Sequence, residues 1–231
     1  MKKSSYLLAI FTGIALLVSS CGKNNEPSPT PAGKDIVKTI KIDASDYSSF
    51  KYFSFAKGEL VQPSNAGENT DWDLGFHRYD FRTNGGLSGK GQGAAAESGS
   101  KEISEKIVIP QESKFKTDEI AKLVTKYGGM GAGHTVEYGM LPINKILTTQ
   151  KKPKMVNGKP IINEVTKQPE MEVSHEGAIV SVGMPPQVHL SGKVFVIRCA
   201  DGKYAKIKIT EYRDEKAKTG HITMQYVYPI N

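Results

Sequence analysis

The chain has 231 residues, a formal net charge of +7 and only two cysteines. Two cysteines exclude a disulfide-rich scaffold, and the absence of a basic stripe with interleaved aromatics argues against nucleic-acid binding. A mild excess of positive charge instead suits an anionic ligand or partner.

The N-terminus carries a targeting signal. Lys2 and Lys3 precede a mostly apolar run from Tyr6 to Val18, which is shorter than the roughly 20 residues that a transmembrane helix needs. A short apolar run behind a basic cap is the pattern of a signal peptide. Its end, Val18-Ser19-Ser20-Cys21, looks like a bacterial lipobox, in which cleavage leaves a cysteine that receives lipid. Residues 1–20 are therefore read as a lipoprotein signal peptide and Cys21 as the lipidation site. Cleavage removes Lys2 and Lys3 and lowers the formal charge from +7 to +5. Residues 21–33, with Pro27, Pro29 and Pro31, have no apolar face to bury and read as an extended Pro-rich tether. With Cys21 committed to lipid, Cys199 has no partner within the chain and reads as a small buried hydrophobe in the run Val194 to Cys199.

Residues 34–231 read as one mainly β domain of antiparallel strands with few short helices. Ile36 to Ile42 and Tyr52 to Phe55 are short strand candidates. Asp71 to Phe81 alternates, which predicts a single central strand with Trp72, Leu74 and Phe76 on one face and His77, Tyr79 and Phe81 on the other. Thr117 to Lys126 places Ile120, Leu123 and Val124 at helical spacing behind a Thr117-Asp118 cap, which predicts a short helix. Gln150 to Glu170, rich in Lys, Pro and Asn, reads as a long hairpin or excursion from the core. Lys193–Cys199, Lys203–Tyr212 and His221–Tyr228 read as an antiparallel meander, with Ala200-Asp201-Gly202 as the first turn.

Few segments carry recognisable chemistry. Asn84 to Gly93 is glycine-rich, but Lys90 is followed by Gly91 and no helix follows, so a phosphate loop is rejected in favour of a flexible loop. The five histidines form no zinc signature, and no Gly-x-Ser-x-Gly elbow appears, so nothing argues for an enzyme. His77 and His221 lie in strand patterns and read as structural. His134 differs, because it sits among glycines between Met130 and Met140. Met184 lies in a second Gly-Pro turn, Gly183-Met184-Pro185-Pro186. Imidazole and thioether are both good axial ligands for haem iron.

Several segments in chain order resemble the HmuY-type haem-binding lipoproteins of Bacteroidetes. They are the lipobox and tether; Ile42-Asp43-Ala44-Ser45, Tyr52-Phe53-Ser54-Phe55 and Lys57-Gly58-Glu59; Trp72-Asp73 with His77-Arg78-Tyr79-Asp80; Ser88-Gly89-Lys90-Gly91; Gly133-His134 with Glu137-Tyr138; Ala200-Asp201-Gly202 with Ala205-Lys206; and Tyr226-Val227-Tyr228-Pro229. The resemblance implies an almost all-β domain, lipid-anchored in the outer membrane and exposed at the cell surface. It implies capture of haem (iron protoporphyrin IX), host haemoproteins as further partners, and transfer to a TonB-dependent outer-membrane haem receptor. His134 matches the first axial ligand of the family. In place of the second, this sequence has Met184, with His175 and His189 nearby but shifted along the chain. The implied site is thus His134 with Met184, or Met140 with Met184, and the pair stays open among these residues, Met130, His175 and His189. Two axial ligands would leave no open coordination position, so a carrier is expected and not an enzyme. The alternative is a surface lipoprotein that uses the same fold to bind a glycan or a host protein.

Overall fold

Alternating apolar side chains in the last third of the chain build the centre of the molecule. The computed structural model describes residues 35–129, 135–183 and 187–231. Its strands are β1 (Lys38–Asp43), β2 (Lys51–Ser54), β3 (Glu59–Val61), β4 (Leu74–His77), β5 (Asp80–Thr83) and β6 (Ala94–Glu97). After a single 3-10 turn at Glu112–Lys114 come β7 (Glu119–Tyr127), β8 (Val136–Ile143), β9 (Gln150–Pro153), β10 (Met155–Val156), β11 (Lys159–Pro160) and β12 (Met171–His175). The chain ends with β13 (Ile179–Val182), β14 (Gln187–Leu190), β15 (Phe195–Arg198), β16 (Tyr204–Arg213) and β17 (Thr219–Ile230). The mainly β, antiparallel expectation is met.

Two sheets make the core. One has five strands in the order β1-β17-β16-β15-β6, and the other has four in the order β3-β2-β4-β5. Along β17, Ile222, Met224 and Tyr226 point inward while His221, Thr223 and Gln225 stay half-exposed, the period of two that a one-sided sheet requires. The inward row meets Phe53, Phe55, Leu74, Phe76 and Phe81 from the second sheet, all fully buried. Burying each such side chain stabilises the fold by about 1.5–3 kcal/mol. The rings of Phe53 and Tyr226 meet edge-on at 5.2 Å, tying the sheets together. The meander of the last three strands appears as expected. Cys199 is buried just after β15, and burial pushes its thiol pKa up, which leaves it an inert core residue.

Three expectations are corrected. Thr117 to Lys126 is not a helix but most of strand β7, paired with β8 and bulged between Val124 and Lys126. Residues four apart share a face in a strand as well as in a helix, so Ile120 and Val124 fit both periods. Leu123 turns to the opposite face and is buried there. The expected cap residue Asp118 instead anchors buried donors from three other segments.

Asp71 to Phe81 is not one central strand. It breaks after His77 into the tight β4–β5 hairpin, with Phe76 opposite Phe81 and His77 opposite Asp80. Phe76 and Phe81, predicted on opposite faces, thus share one. The glycine-rich loop is also not a loose one. It wraps the fully buried Asn84, whose amide donates to the carbonyls of Asn69 and Trp72 at 2.8 Å and accepts from Gly91 N at 3.1 Å. The polar segment from Gln150 to Glu170 is an excursion, with β9 pairing β12 and the short β10–β11 ribbon beyond them.

Candidate functional site

The β4–β5 turn organises a cavity beside the core. Arg78, the second residue of this turn, has φ 55°, a left-handed conformation usually taken by Gly or Asn. Its guanidinium fixes the turn by donating to Ser45 O at 3.0 Å, Thr219 O at 3.4 Å and Thr219 Oγ1 at 2.9 Å. It also lies over the Tyr47 ring, 4.3 Å from its centre. Next to it, His77 is buried with Nε2 at 2.6 Å from Tyr47 O and Nδ1 at 3.6 Å from Asp80 Oδ2. Burial opposes protonation of His77, but Asp80 and the Tyr47 carbonyl outweigh it and raise its pKa. The expected structural role of His77 is therefore consistent with its contacts.

These residues floor a cavity of about 220 Å³. Its walls come from Val124 on β7, Thr148 and Thr149 before β9, Lys151 on β9, and Ile179 and Ser181 on β13. Two hairpins thus border it, β7–β8 and β13–β14. Aromatic contacts brace both: Tyr47 packs on Tyr127 at 5.7 Å near the far end of β7, and Tyr79 meets Tyr212 edge-on at 6.0 Å. The Tyr212 hydroxyl donates in turn to Val188 O of β14 at 3.1 Å. The cavity is smaller than the ~300–1,000 Å³ typical of small-molecule sites.

The cavity-facing side of β7–β8 continues outward with two exposed side chains, Tyr138 and Met140, and with Lys122, whose ammonium lies over the Tyr138 ring at 4.5 Å. Val124 pairs with Tyr138 and Lys122 with Met140, and directly paired residues share a face. Tyr138 and Met140 lie on the Val124 face and are 56% and 64% exposed. The exposed thioether thus stands on the same face as a phenol ring that carries a cation.

Of the residues singled out in the sequence, Met140 is thus on the cavity side of its hairpin. His134, Met130 and Met184 lie outside the described residues, as does Cys21. Residues 130–134 connect β7 to β8 and residues 184–186 connect β13 to β14. His175 ends β12 with Nε2 2.9 Å from Ile146 O, and His189 lies on β14 opposite Val180; neither lines the cavity. Among the described residues no group of three or more His, Cys, Asp or Glu could hold a metal ion, and no helix is long and apolar enough to cross a membrane. Sequence reasoning missed Tyr47, Thr149 and Lys151. Their only signal is spatial convergence from distant segments.

Comparison with known proteins gives this arrangement a family context. The profile of the family described as HmuY protein matches residues 46–226. No curated relative matches the chain in sequence. Among solved structures, the apo HmuY analog of Tannerella forsythia is similar with a TM-score of 0.59 at 23% identity, over 86% of this chain and 98% of that one. A Bacteroides vulgatus protein described as HmuY-like and heme-binding has a TM-score of 0.57 at 23% identity, over 86% of this chain and 99% of that one. A Bacteroides fragilis protein described as a lipoprotein has a TM-score of 0.57 at 21% identity, over 86% of this chain and 97% of that one. At these identities the structural likeness concerns the fold.

Proposed function

Because the chain belongs to the HmuY family, we propose that it is a lipid-anchored haem-binding protein of the outer-membrane surface that passes haem to a TonB-dependent receptor. One observation carries this reading. The two hairpins that wall the cavity are the ones whose connecting segments hold His134 and Met184. The heme-binding description of the Bacteroides vulgatus neighbour agrees with it.

In this reading Met184 supplies one axial ligand and His134, or Met140, the other. Haem, when bound, would supply a redox-active iron, and these side chains would hold it. Val124 and Ile179 offer apolar wall surface, and Tyr138 extends it on the β7–β8 side with Lys122 over its ring. Covering such a surface with a flat ring removes apolar area from water. If two side chains held a bound haem iron, no position would be left on it for oxygen or peroxide, which would suit a carrier. Replacing an imidazole by a thioether raises the reduction potential and favours ferrous over ferric iron.

The test is a titration with haemin, with and without dithionite, following the Soret and visible bands. A shift in both states is expected, with tighter binding in the reduced state. Met184→Ala should weaken it strongly, and comparison of His134→Ala with Met140→Ala identifies the second ligand. Ferric binding equal to or tighter than ferrous would count against Met184, and no shift in either state would overturn the haem reading.

A further inference from the structure

The cavity is lined by three basic side chains, and their commitments differ. His77 is engaged by the Tyr47 carbonyl and faces Asp80. Arg78 makes three hydrogen bonds to Ser45 and Thr219 and stacks on Tyr47. Lys151 has neither a hydrogen-bond nor a close carboxylate partner among the described residues, Asp80 being the one opposing charge that acts on it. Its neighbour Lys152 differs in this respect, pairing with Glu172 on the adjacent strand at 3.3 Å. Successive strand residues point to opposite faces. Lys152 therefore faces its partner strand's acid, while Lys151 faces the cavity and also lines an adjoining hollow of about 390 Å³ beside Glu170, Met171 and Gly183.

The charge around the cavity is thus unbalanced. Arg78 and Lys151 stand against Asp80, leaving one excess positive charge with His77 neutral and more with His77 protonated. Lys151 as a whole is exposed, so water screens it, yet the protein crowding its ammonium still lowers its pKa while Asp80 pulls the other way. A flexible stem with three free donors at the rim of a cavity that carries excess positive charge suits a mobile monovalent acid.

We infer that Lys151 recognises a carboxylate of the bound ligand, which on the haem reading above is a propionate. The inference rests on that reading and adds to it a determinant of specificity at the rim, separate from the axial ligands.

The experiment compares ferrous iron protoporphyrin IX with its dimethyl ester, which keeps the ring and iron but has no free acid. Both are titrated against the full chain and against Lys151→Gln and Lys151→Arg. The wild type should bind the free acid about tenfold more tightly than the ester, the difference made by one charge-assisted hydrogen bond. Lys151→Gln should bind both alike, and Lys151→Arg should keep most of the discrimination. Position 151 lies on a two-stranded ribbon outside the core, and the Arg variant reports on folding with the charge retained. Equal binding of acid and ester by the wild type would overturn the inference and leave the haem reading intact. Discrimination that persists in Lys151→Gln would likewise overturn the assignment to Lys151. If neither porphyrin moves the Soret band, the haem reading fails and the inference with it.

Discussion

Asp118 shows how much a single buried acid organises in this protein. It is almost fully buried and accepts from Thr83 N, Thr83 Oγ1, Ser88 Oγ and Asn144 Nδ2 at 2.6–3.0 Å, joining β5, the glycine loop, and the start of β7 to the end of β8. Burial pushes its pKa up to about 6 from 3.8, against the pull of those donors. The folded state therefore holds this proton more tightly than the unfolded chain. Between pH 4 and 6 the native protein binds more protons, so stability contributed by Asp118 is present at low pH and is lost as pH rises through 6. A shift of this size corresponds to about 3 kcal/mol. Stability curves of the wild type and Asp118→Asn, measured by denaturant unfolding at several pH values, should diverge in slope across this interval, with the falling limb reduced in the variant. Parallel curves would show that Asp118 titrates normally. Asp73 is also raised by burial and contributes a similar trend, so the difference between the two curves carries the test.

At the scale of elements, regular strands are legible in the sequence and the connections that build the site are not. The last three strands announce themselves by alternation and by the Asp201-Gly202 turn. The β4–β5 turn does not, because its left-handed residue is Arg78, held by contacts to Ser45 and Thr219, residues far from it in sequence. The β7 strand is ambiguous because Ile120 and Val124 satisfy both periods, and only its pairing with β8 decides. Of the candidate site, the sequence offers the soft ligands through family resemblance. It conceals Tyr47 and Lys151, which reach the cavity only through tertiary packing. The glycine loop is a third case, where composition suggests looseness and packing makes an ordered support. A Cβ at Gly93 would stand 2.4 Å from the Asn84 carbonyl carbon, closer than any backbone contact allows. Gly93→Ala must therefore push the loop off Asn84 and should lower stability by about 1–3 kcal/mol, read as a lower denaturation midpoint. An unchanged midpoint would mean that the loop can shift without loss.

On the scale of the whole molecule, β17 acts as a ruler between the cavity and the point where the chain enters the domain. Thr219, its first residue, receives Arg78 beside the cavity. Near its other end, β17 pairs with the Lys206 and Tyr204 region of β16. There the fully buried Lys206 ammonium meets Asp35, the first described residue, at 2.6 Å. From Thr219 to Val227, which is opposite Lys206, eight steps of roughly 3.3 Å separate the two points by about 26 Å. The described domain therefore begins at the end of the sheet away from the cavity, and on the proposal that Cys21 carries lipid, anchoring and ligand binding fall at different ends of β17. The expected consequence is that they can be uncoupled. Cys21→Ser should move the protein from the membrane fraction to the soluble fraction of cells, because a lipid chain contributes about 0.8 kcal/mol of membrane affinity per buried CH₂ and no helix among the described residues is long and apolar enough to cross a membrane. The released protein should give the same haem titration as the anchored one, since Asp35, the first described residue, does not line the cavity. Membrane retention of the variant would remove Cys21 as the anchor. Altered haem binding in a variant that is released would mean that the tether communicates with the cavity along β17.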